Sequence, residues 1–374
     1  MVIMICVFIM GMQFTEHYFM EKDALIYPTI ILAVTSIYYF LINRQLLVNR
    51  HTILVTVLST IFFVFYIINI NTEIDIKIDY LVYLAITFLL FLFISISKSS
   101  LFIYPLWTIF VFLFSNILFL PRLLSVGEFT NANSTGIIAF LLLFFCFITI
   151  KDSNYLLKTI NIYTILMLIV VLFTATSRTA QLAFIIVLIT YLILFKLNKY
   201  VFVMVTLLIV FSISFVFFYT LSNETPVGNK LTELSREYTG KNFYSGRDRI
   251  WNDAFEEVTN SNDTLTGLGN NIQYEAFSGY LHNLYVQLFY QAGIIGLALM
   301  VSLLLVITYI AQKASYQTND HYFKILTSFF IAILVMQIFE GHLIYKFSII
   351  SILCWVIISL FVNKSLKLIV ENGN

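Results

Sequence analysis

Apolar runs long enough to cross a lipid bilayer recur along almost the whole chain, and this feature constrains the fold more than any other. A helix needs about 20 apolar residues to cross the ~30 Å hydrocarbon layer. In lipid the backbone N–H and C=O groups must bond within the chain, which a helix achieves by itself. The sequence therefore predicts an all-α polytopic membrane protein. Only 11% of its residues are charged, against roughly a quarter in soluble domains.

Twelve segments have a suitable length, which predicts about twelve transmembrane helices. They cover residues 1–14, 24–43, 52–70, 80–97, 100–120, 135–150, 156–174, 180–195, 200–220, 284–310, 323–339 and 347–363. Three parts follow from these spans. Residues 1–220 form a membrane bundle of about nine spans, residues 221–283 form a large extracytoplasmic loop with amphipathic helices between the ninth and tenth spans, and residues 284–374 form about three spans and a cytoplasmic tail.

Basic residues in the short loops predict the orientation, because Lys and Arg accumulate on the cytoplasmic side of a membrane. One set of loops, together with the C-terminus, carries eleven of them, and the other set of short loops carries five. The first set is Arg44, Arg50, Lys98, Lys151, Lys158, Lys196, Lys199, Lys313, Lys324, Lys364 and Lys367, and the second is Lys22, Lys77, Arg122, Arg178 and Lys346. Both termini are therefore expected in the cytoplasm, with residues 221–283 outside.

The charge pattern also narrows the range of partners. The formal net charge is +1, and no run of five or more basic residues is present, so nucleic acid is not an expected partner. No group of acidic residues has the spacing of metal ligands. We therefore expect neither a metal nor another cofactor.

An amphipathic helix is predicted inside the long loop, because apolar residues repeat at helical spacing from Arg247 to Val258. Ser245, with an acidic residue three positions later, is a capping-box signal for the helix start. The apolar side of this helix could rest on the membrane or pack against the spans. Trp251 and Tyr244 could likewise stack on sugar rings or simply pack in the protein interior.

Polar residues next to the membrane gather on the predicted outer side. They are Asn131 and Asn133, Arg178, Arg247 and Arg249, His282 and Asn283, and finally Glu340 with His342. Arg178 interrupts two apolar runs, and an arginine inside a membrane costs about 2.5 to 3.5 kcal/mol. Its side chain is expected either to bind an anion or to reach the interface as a topological anchor.

His282 and the two arginines of the loop are the other candidates for chemistry. An imidazole titrates near neutral pH and can accept a proton from a sugar hydroxyl, although an interfacial histidine is more often structural. Arg247 and Arg249 stand at the predicted helix start, where guanidinium and backbone N–H donors together can hold a diphosphate. Alternatively, one of them pairs with a neighbouring acidic residue.

Several motifs taken together resemble the O-antigen ligase and Wzy-type polysaccharide polymerase family. They are Ser177-Arg178, Ser245-Gly246-Arg247 with Trp251, Gly267-Leu268-Gly269, His282-Asn283 and Gly293-Ile294-Ile295-Gly296. The resemblance covers roughly residues 130 to 310. The family often has a proline between the two asparagines where this chain has Ala132.

The resemblance implies a metal-independent, inverting membrane glycosyltransferase. Its donor would be an undecaprenyl-diphosphate-linked glycan, and its acceptor would carry a hydroxyl. It also implies a multi-pass protein of the bacterial cytoplasmic (inner) membrane with an active site on the outer face. In that picture His282 is catalytic, and the diphosphate- or substrate-binding residues are Arg178, Arg247, Arg249, Asn283, Asn133 and Glu340.

A polymerase that builds a surface polysaccharide, capsular or O-antigen, is the predicted member of this family. The Ile, Asn, Lys and Phe bias is typical of an AT-rich genome, and many such bacteria lack the outer membrane that a ligase serves. A ligase that moves the glycan to another acceptor is the first alternative, and a lipid-linked oligosaccharide flippase or transporter is the second. A chain-length regulator or a flippase is a candidate partner protein.

Overall fold

The computed structural model describes residues 34, 47–69, 74–97, 104–124, 131–151, 153–223, 225–240, 242–269, 281–344 and 349–372. These parts of the chain hold thirteen α-helices, a short 3-10 turn at Asn198–Tyr200 and no strand, so the all-α class is confirmed for them. The helices are α1 Arg50–Ile68, α2 Ile74–Ile96, α3 Tyr104–Leu118, α4 Leu120–Leu124, α5 Ala132–Thr149, α6 Tyr155–Thr174, α7 Arg178–Leu197, α8 Val201–Ser222, α9 Pro226–Thr239, α10 Arg247–Asn260, α11 Leu284–Ser315, α12 His321–Met336 and α13 Ile349–Asn372.

Ten predicted spans coincide with helices α1–α3, α5–α8 and α11–α13. Six of these helices (α1, α5, α6, α8, α11 and α13) are long and apolar enough to cross a membrane, by length and composition. The other four contain shorter apolar stretches. This is consistent with a polytopic membrane protein, while the count of twelve spans and the side on which the long loop lies stay predictions. The first predicted span, and the second apart from residue 34, lie outside the described residues.

Helices α5 and α13 lie at the centre of the bundle. Within their apolar windows, 78% and 89% of the residues are buried, against 33% in α6 and 28% in α8. Helix α5 packs against α6 and α7, and α13 packs against α2 and α11. The peripheral helices keep large apolar side chains exposed, including Leu166 and Leu207, as expected of a surface that faces lipid tails.

Helix α10 confirms the predicted amphipathic helix and shows what its apolar side contacts. Ile250, Trp251 and Val258 are buried in a cluster with residues of α8 and α11, so packing is the observed role of this face. Trp251 is fully buried, and its indole N–H donates to the carbonyl of Leu281 at 2.7 Å. Tyr244 is also buried, at 3% exposure. The structure therefore favours packing over sugar stacking for both aromatic residues.

The capping-box prediction for α10 is wrong. The residue before the helix is Gly246, with φ 79°, and no side chain caps the first turn. The hydroxyl of Ser245 instead donates to the carbonyl of Asn242 at 3.0 Å. A left-handed residue turns the chain sharply into the helix, so the side chain of Ser245 points back towards the preceding loop.

Helix α11 is broken at Gly293, where φ is 62° and ψ is −162°, a feature that the apolar pattern of residues 284–310 did not predict. Residues 264–269 fill the break. The N–H groups of Leu268 and Gly269 donate to the carbonyls of residues 290 and 291, at 2.8 and 3.1 Å. The N–H groups of residues 294 and 295 in turn donate to carbonyls of the same loop, each at 3.1 Å. Backbone groups freed by the break are thus satisfied by a second segment of the chain.

The two glycine motifs of the sequence meet at this break, which leads to a prediction. A Cβ atom on Gly267 would lie 2.5 Å from the backbone N atoms of Ala292 and Gly293, whereas a Cβ on Gly240 would meet nothing within 4 Å. Both glycines have positive φ, so both alanine substitutions carry about 1–2 kcal/mol of backbone strain. We expect Gly267→Ala to lower the free energy of unfolding by about 2 kcal/mol more than Gly240→Ala does, because backbone atoms must move to make room for the added Cβ. Thermal unfolding in detergent measures this difference. Equal losses of stability would contradict the close contact between residues 264–269 and the break in α11.

Candidate functional site

A buried carboxylate, Glu340, lies at the centre of the polar residues that the sequence analysis singled out. Its Oε1 accepts hydrogen bonds from Arg247 Nη2 at 3.1 Å and from Asn133 Nδ2 at 3.3 Å. Its Oε2 lies 3.1 Å from His282 Nδ1 and 3.9 Å from His342 Nε2. Three distant parts of the chain, together with His342 of its own segment, therefore converge on one side chain that is only 3% exposed.

The electrostatic surroundings keep Glu340 ionised. Burial alone would raise the pKa of its carboxyl group, but the hydrogen bond with His282 and the charges of His342 and Arg247 outweigh burial and lower that pKa to about 2. Burial also lowers the pKa of His342, and the neighbouring Glu340 only partly offsets this effect. At neutral pH the cluster formed by Glu340 and its contacts Asn133, Arg247, His282 and His342 thus contains one buried carboxylate and one guanidinium in direct contact.

The segment that carries Glu340 is held against the start of α11. The N–H of Leu284 donates to the carbonyl of Gln337 at 2.9 Å, and Asn283 Nδ2 donates to the carbonyl of Ile338 at 2.7 Å. Gly341 allows this approach, because a Cβ atom there would already lie 3.3 Å from the backbone of Asn283. Glu340 and His282 are therefore positioned by backbone contacts as well as by their own hydrogen bond.

Asn283 is fully buried, and its side chain is occupied by these structural contacts. Besides its bond to Ile338, its Oδ1 caps α11 by accepting from the N–H groups of Tyr285 and Val286, at 2.8 and 3.0 Å. His282, immediately before it, adopts a left-handed conformation with φ 52°, and its side chain is 30% exposed. A strained backbone at a partly exposed histidine is typical of a functional site.

Arg178 lies beside this cluster and is held by hydroxyl groups. Its Nη2 donates to Ser245 Oγ at 3.1 Å, and its Nη1 donates to Ser235 Oγ at 3.4 Å. Its positive charge and that of Arg247 are close enough to repel each other. Within the described parts of the chain, no carboxylate lies within ion-pair distance of Arg178. A half-buried guanidinium with neutral partners and a like charge nearby is suited to bind an anion.

Close packing of α5 against α7 brings Asn133 and Arg178 to the same end of the bundle. A Cβ atom on Gly136 would lie 2.6 Å from Ser177 Cβ, so only glycine permits this approach. Asn131 caps α5 by accepting from the N–H of Ser134 at 3.0 Å, which leaves Asn133 in the first turn to reach Glu340.

The structure thus brings together most, but not all, of the predicted site residues. His282, Arg247, Asn133 and Glu340 share direct contacts, and Arg178 joins them through Ser245, which precedes α10. Arg249 is exposed and makes no hydrogen bond or ion pair with another described residue. The sequence analysis assigned no site role to His342 or Ser235, and it treated Ser245 as a helix cap and as part of the Ser245-Gly246-Arg247 motif, without a contact to Arg178. The proximity of His342 to Glu340 in the sequence was a usable signal, whereas no pattern marked Ser235.

The depressed pKa of Glu340 predicts how stability depends on pH. The unfolded carboxyl titrates near pH 4.3 and the folded one near pH 2, so the ionised cluster stabilises the fold fully above about pH 4.5. We expect the free energy of unfolding of wild type to exceed that of Glu340→Gln by about 3 kcal/mol at neutral pH. This difference should shrink as the pH falls from 4.5 towards 2. Thermal unfolding in detergent between pH 7 and pH 3 measures it. A difference that stays constant over that range would contradict the assignment.

The fold and the site together define a class: a helical membrane protein with two neighbouring arginines and a histidine–carboxylate pair at one end of its bundle. Residues 162–301 match the sequence model of the family described as O-antigen ligase. This match confirms, over residues 162–301, the resemblance to the O-antigen ligase and Wzy-type family that was drawn from the motifs. It covers Arg178, Arg247 and His282, while Asn133 and Glu340 lie outside it. No curated protein matches the chain significantly.

Proposed function

We propose that this protein is a polymerase that joins undecaprenyl-diphosphate-linked oligosaccharide repeat units into a surface polysaccharide. The family supports a membrane enzyme that transfers lipid-linked glycans. The observation that carries the proposal is Arg178, a half-buried guanidinium held by two serine hydroxyls beside a second arginine. A diphosphate is the anion that a pair of guanidinium groups holds well, because each can donate two parallel hydrogen bonds.

The reaction that fits these residues is a single displacement at the anomeric carbon of the donor. The acceptor hydroxyl oxygen attacks this carbon and passes its proton to His282. The bond from the carbon to the diphosphate oxygen breaks, and its electron pair leaves with the lipid diphosphate, where Arg178 and Arg247 stabilise the charge. One displacement inverts the anomeric configuration. Because two guanidinium groups supply the positive charge, the proposed mechanism assigns no role to a metal.

The remaining predicted residues take supporting roles in this proposal. Arg249 is exposed in the first turn of α10, one residue beyond the buried Asp248, and is proposed to contact the donor directly. Asn133 is proposed to contact the substrate while also donating to Glu340. Asn283 acts through its cap of α11 and its bond to Ile338, which hold the segments of His282 and Glu340 together.

The polymerase is preferred over the two alternatives for different reasons. A ligase uses the same donor and the same displacement, and the composition bias of the sequence is what favours a polymerase. A transporter is expected to place ionisable residues within its spans near the midplane of the membrane. Here Arg178 begins α7, Arg247 begins α10, and His282 lies two residues before the first residue of α11, so the charged cluster lies at helix ends.

A transfer assay with a single substrate separates the three functions. Purified protein would be incubated with a lipid-diphosphate-linked repeat unit, followed by separation of the glycan products and measurement of released lipid diphosphate. We expect a ladder of lengthened products. Release of lipid diphosphate only when a different lipid acceptor is added would identify a ligase. No release with either acceptor, from a donor that another transferase consumes, would contradict glycosyl transfer and favour a transporter.

A further inference from the structure

The two oxygen atoms of Glu340 have different partners, and this asymmetry has a chemical consequence. Oε1 accepts from two obligatory donors, Arg247 Nη2 and Asn133 Nδ2, at 3.1 and 3.3 Å. Oε2 faces the histidines, with His282 Nδ1 at 3.1 Å. With 3% of its side chain exposed, and its negative charge next to an expected diphosphate, Glu340 is poorly suited to touch the substrate itself.

We propose that Glu340 is a positioning residue that fixes the ring of His282 in the Nδ1–H tautomer, so that Nε2 is the atom that takes the acceptor proton. This inference rests on the proposed function for its catalytic meaning, while its structural content does not depend on activity. An ionised carboxylate can only accept hydrogen bonds, so the ring nitrogen that it contacts must carry the proton. In a neutral imidazole the other nitrogen is then the basic one.

The same carboxylate also joins the base to the diphosphate site. Arg247 comes from the start of α10, His282 from the residue pair before α11, and Glu340 from the segment after α12. One side chain thus fixes the distance between the group that receives the proton and a group that receives the leaving-group charge. Holding reacting groups in a fixed arrangement is a large part of enzymatic rate enhancement.

The substitution Glu340→Gln tests the tautomer because the structure dictates how the amide must lie. Arg247 and Asn133 are both donors at Oε1, so the carbonyl oxygen of the glutamine must occupy that position. The NH2 group then takes the place of Oε2 and donates to His282 Nδ1. The tautomer of His282 is expected to change to Nε2–H, which leaves Nε2 unable to accept a proton.

The primary measurement is the 15N spectrum of the histidine side chains in the full-length protein, without substrate. Protonated and unprotonated ring nitrogens give separate signals, and the spectrum of His282→Ala assigns those of His282. We expect wild type to show Nδ1–H and Glu340→Gln to show Nε2–H. The control is Glu257→Gln, which changes another glutamate near α11 that accepts a hydrogen bond from Tyr290 at 2.9 Å. That variant should leave the His282 signals unchanged.

Kinetics gives a second readout that general loss of structure would not reproduce. In Glu340→Gln the bond from Arg247 to Oε1 is kept, so we expect KM for the lipid-diphosphate donor to change less than about threefold. We expect kcat to fall by about 10² to 10⁴, the usual contribution of a general base. Glu340→Asp keeps an acceptor-only group and should retain more of kcat than the glutamine variant.

The outcomes separate this inference from the proposed function. If the tautomer of His282 is the same in wild type and Glu340→Gln, the positioning role is wrong, whatever the activity. If the tautomer changes and Glu340→Gln keeps the wild-type kcat in a working transfer assay, His282 is not the base, and the catalytic use of the pair fails together with that part of the proposed function.

Discussion

Replacing His282 by alanine is expected to reduce glycan transfer by about 10² to 10⁴ while leaving the amount of membrane-inserted protein unchanged. The reason is that His282 is the partly exposed histidine of the cluster, with its Nδ1 held by Glu340 at 3.1 Å. Its removal takes away the proton acceptor but leaves Arg178 and Arg247 in place. Donor binding should therefore persist while turnover is lost.

The matched control is His321→Ala, which changes a histidine at the opposite end of α12 from Glu340. We expect this variant to keep more than about half of the wild-type rate, because its ring contacts Tyr191 and not the cluster. Product formation by each purified variant, normalised to protein in the membrane fraction, provides the measurement. Wild-type turnover by His282→Ala would contradict the assignment of His282 as the base.

Replacing Arg178 by lysine is expected to lower kcat/KM for the donor by about 10² to 10³, the usual cost of losing one donor to a developing charge. Because lysine keeps the positive charge, a loss of kcat/KM would report on the arrangement of hydrogen-bond donors that the guanidinium provides. A guanidinium reaches Ser235 and Ser245 with two different nitrogens and still presents donors to an anion, whereas an ammonium is a single point.

Arg236→Lys is the control for this variant. Arg236 is an exposed arginine of α9, one residue after Ser235, so the same chemical change is made in the same part of the molecule but outside the cluster. We expect it to alter kcat/KM by less than about twofold. If Arg178→Lys were as active as Arg236→Lys, Arg178 would be an interfacial anchor, and the diphosphate would have to bind elsewhere.

The ten helices that coincide with predicted spans were accessible from sequence for a simple physical reason. A bilayer imposes one length and one polarity on each crossing segment, so hydropathy alone locates it. The amphipathic helix α10 was accessible because Ile250, Trp251 and Val258 repeat at the helical period. Hydropathy and helical periodicity are both local properties of a segment, so they can be recognised without knowing what the segment contacts.

Features that depend on contacts between distant segments could not be predicted from the sequence. The bond from Asn133 to Glu340 joins residues 207 positions apart, and no periodicity encodes it. The break at Gly293 was hidden because its unpaired backbone groups are satisfied by residues 264–269, which only the folded structure brings near. The sequence did indicate Glu340 as a site residue, but its partners, on which the proposed role beside His282 rests, came from the structure.

The most direct test of the central claim is a structure of the protein with a non-transferable donor analogue, in which a methylene group replaces the oxygen between the anomeric carbon and the diphosphate. We predict that the oxygens on the two phosphorus atoms of this analogue lie within hydrogen-bonding distance of Arg178 and Arg247, with the anomeric carbon on the side of His282 Nε2. An analogue whose phosphorus groups bind within the spans near the midplane, or at the opposite end of α12 near His321, would contradict this claim.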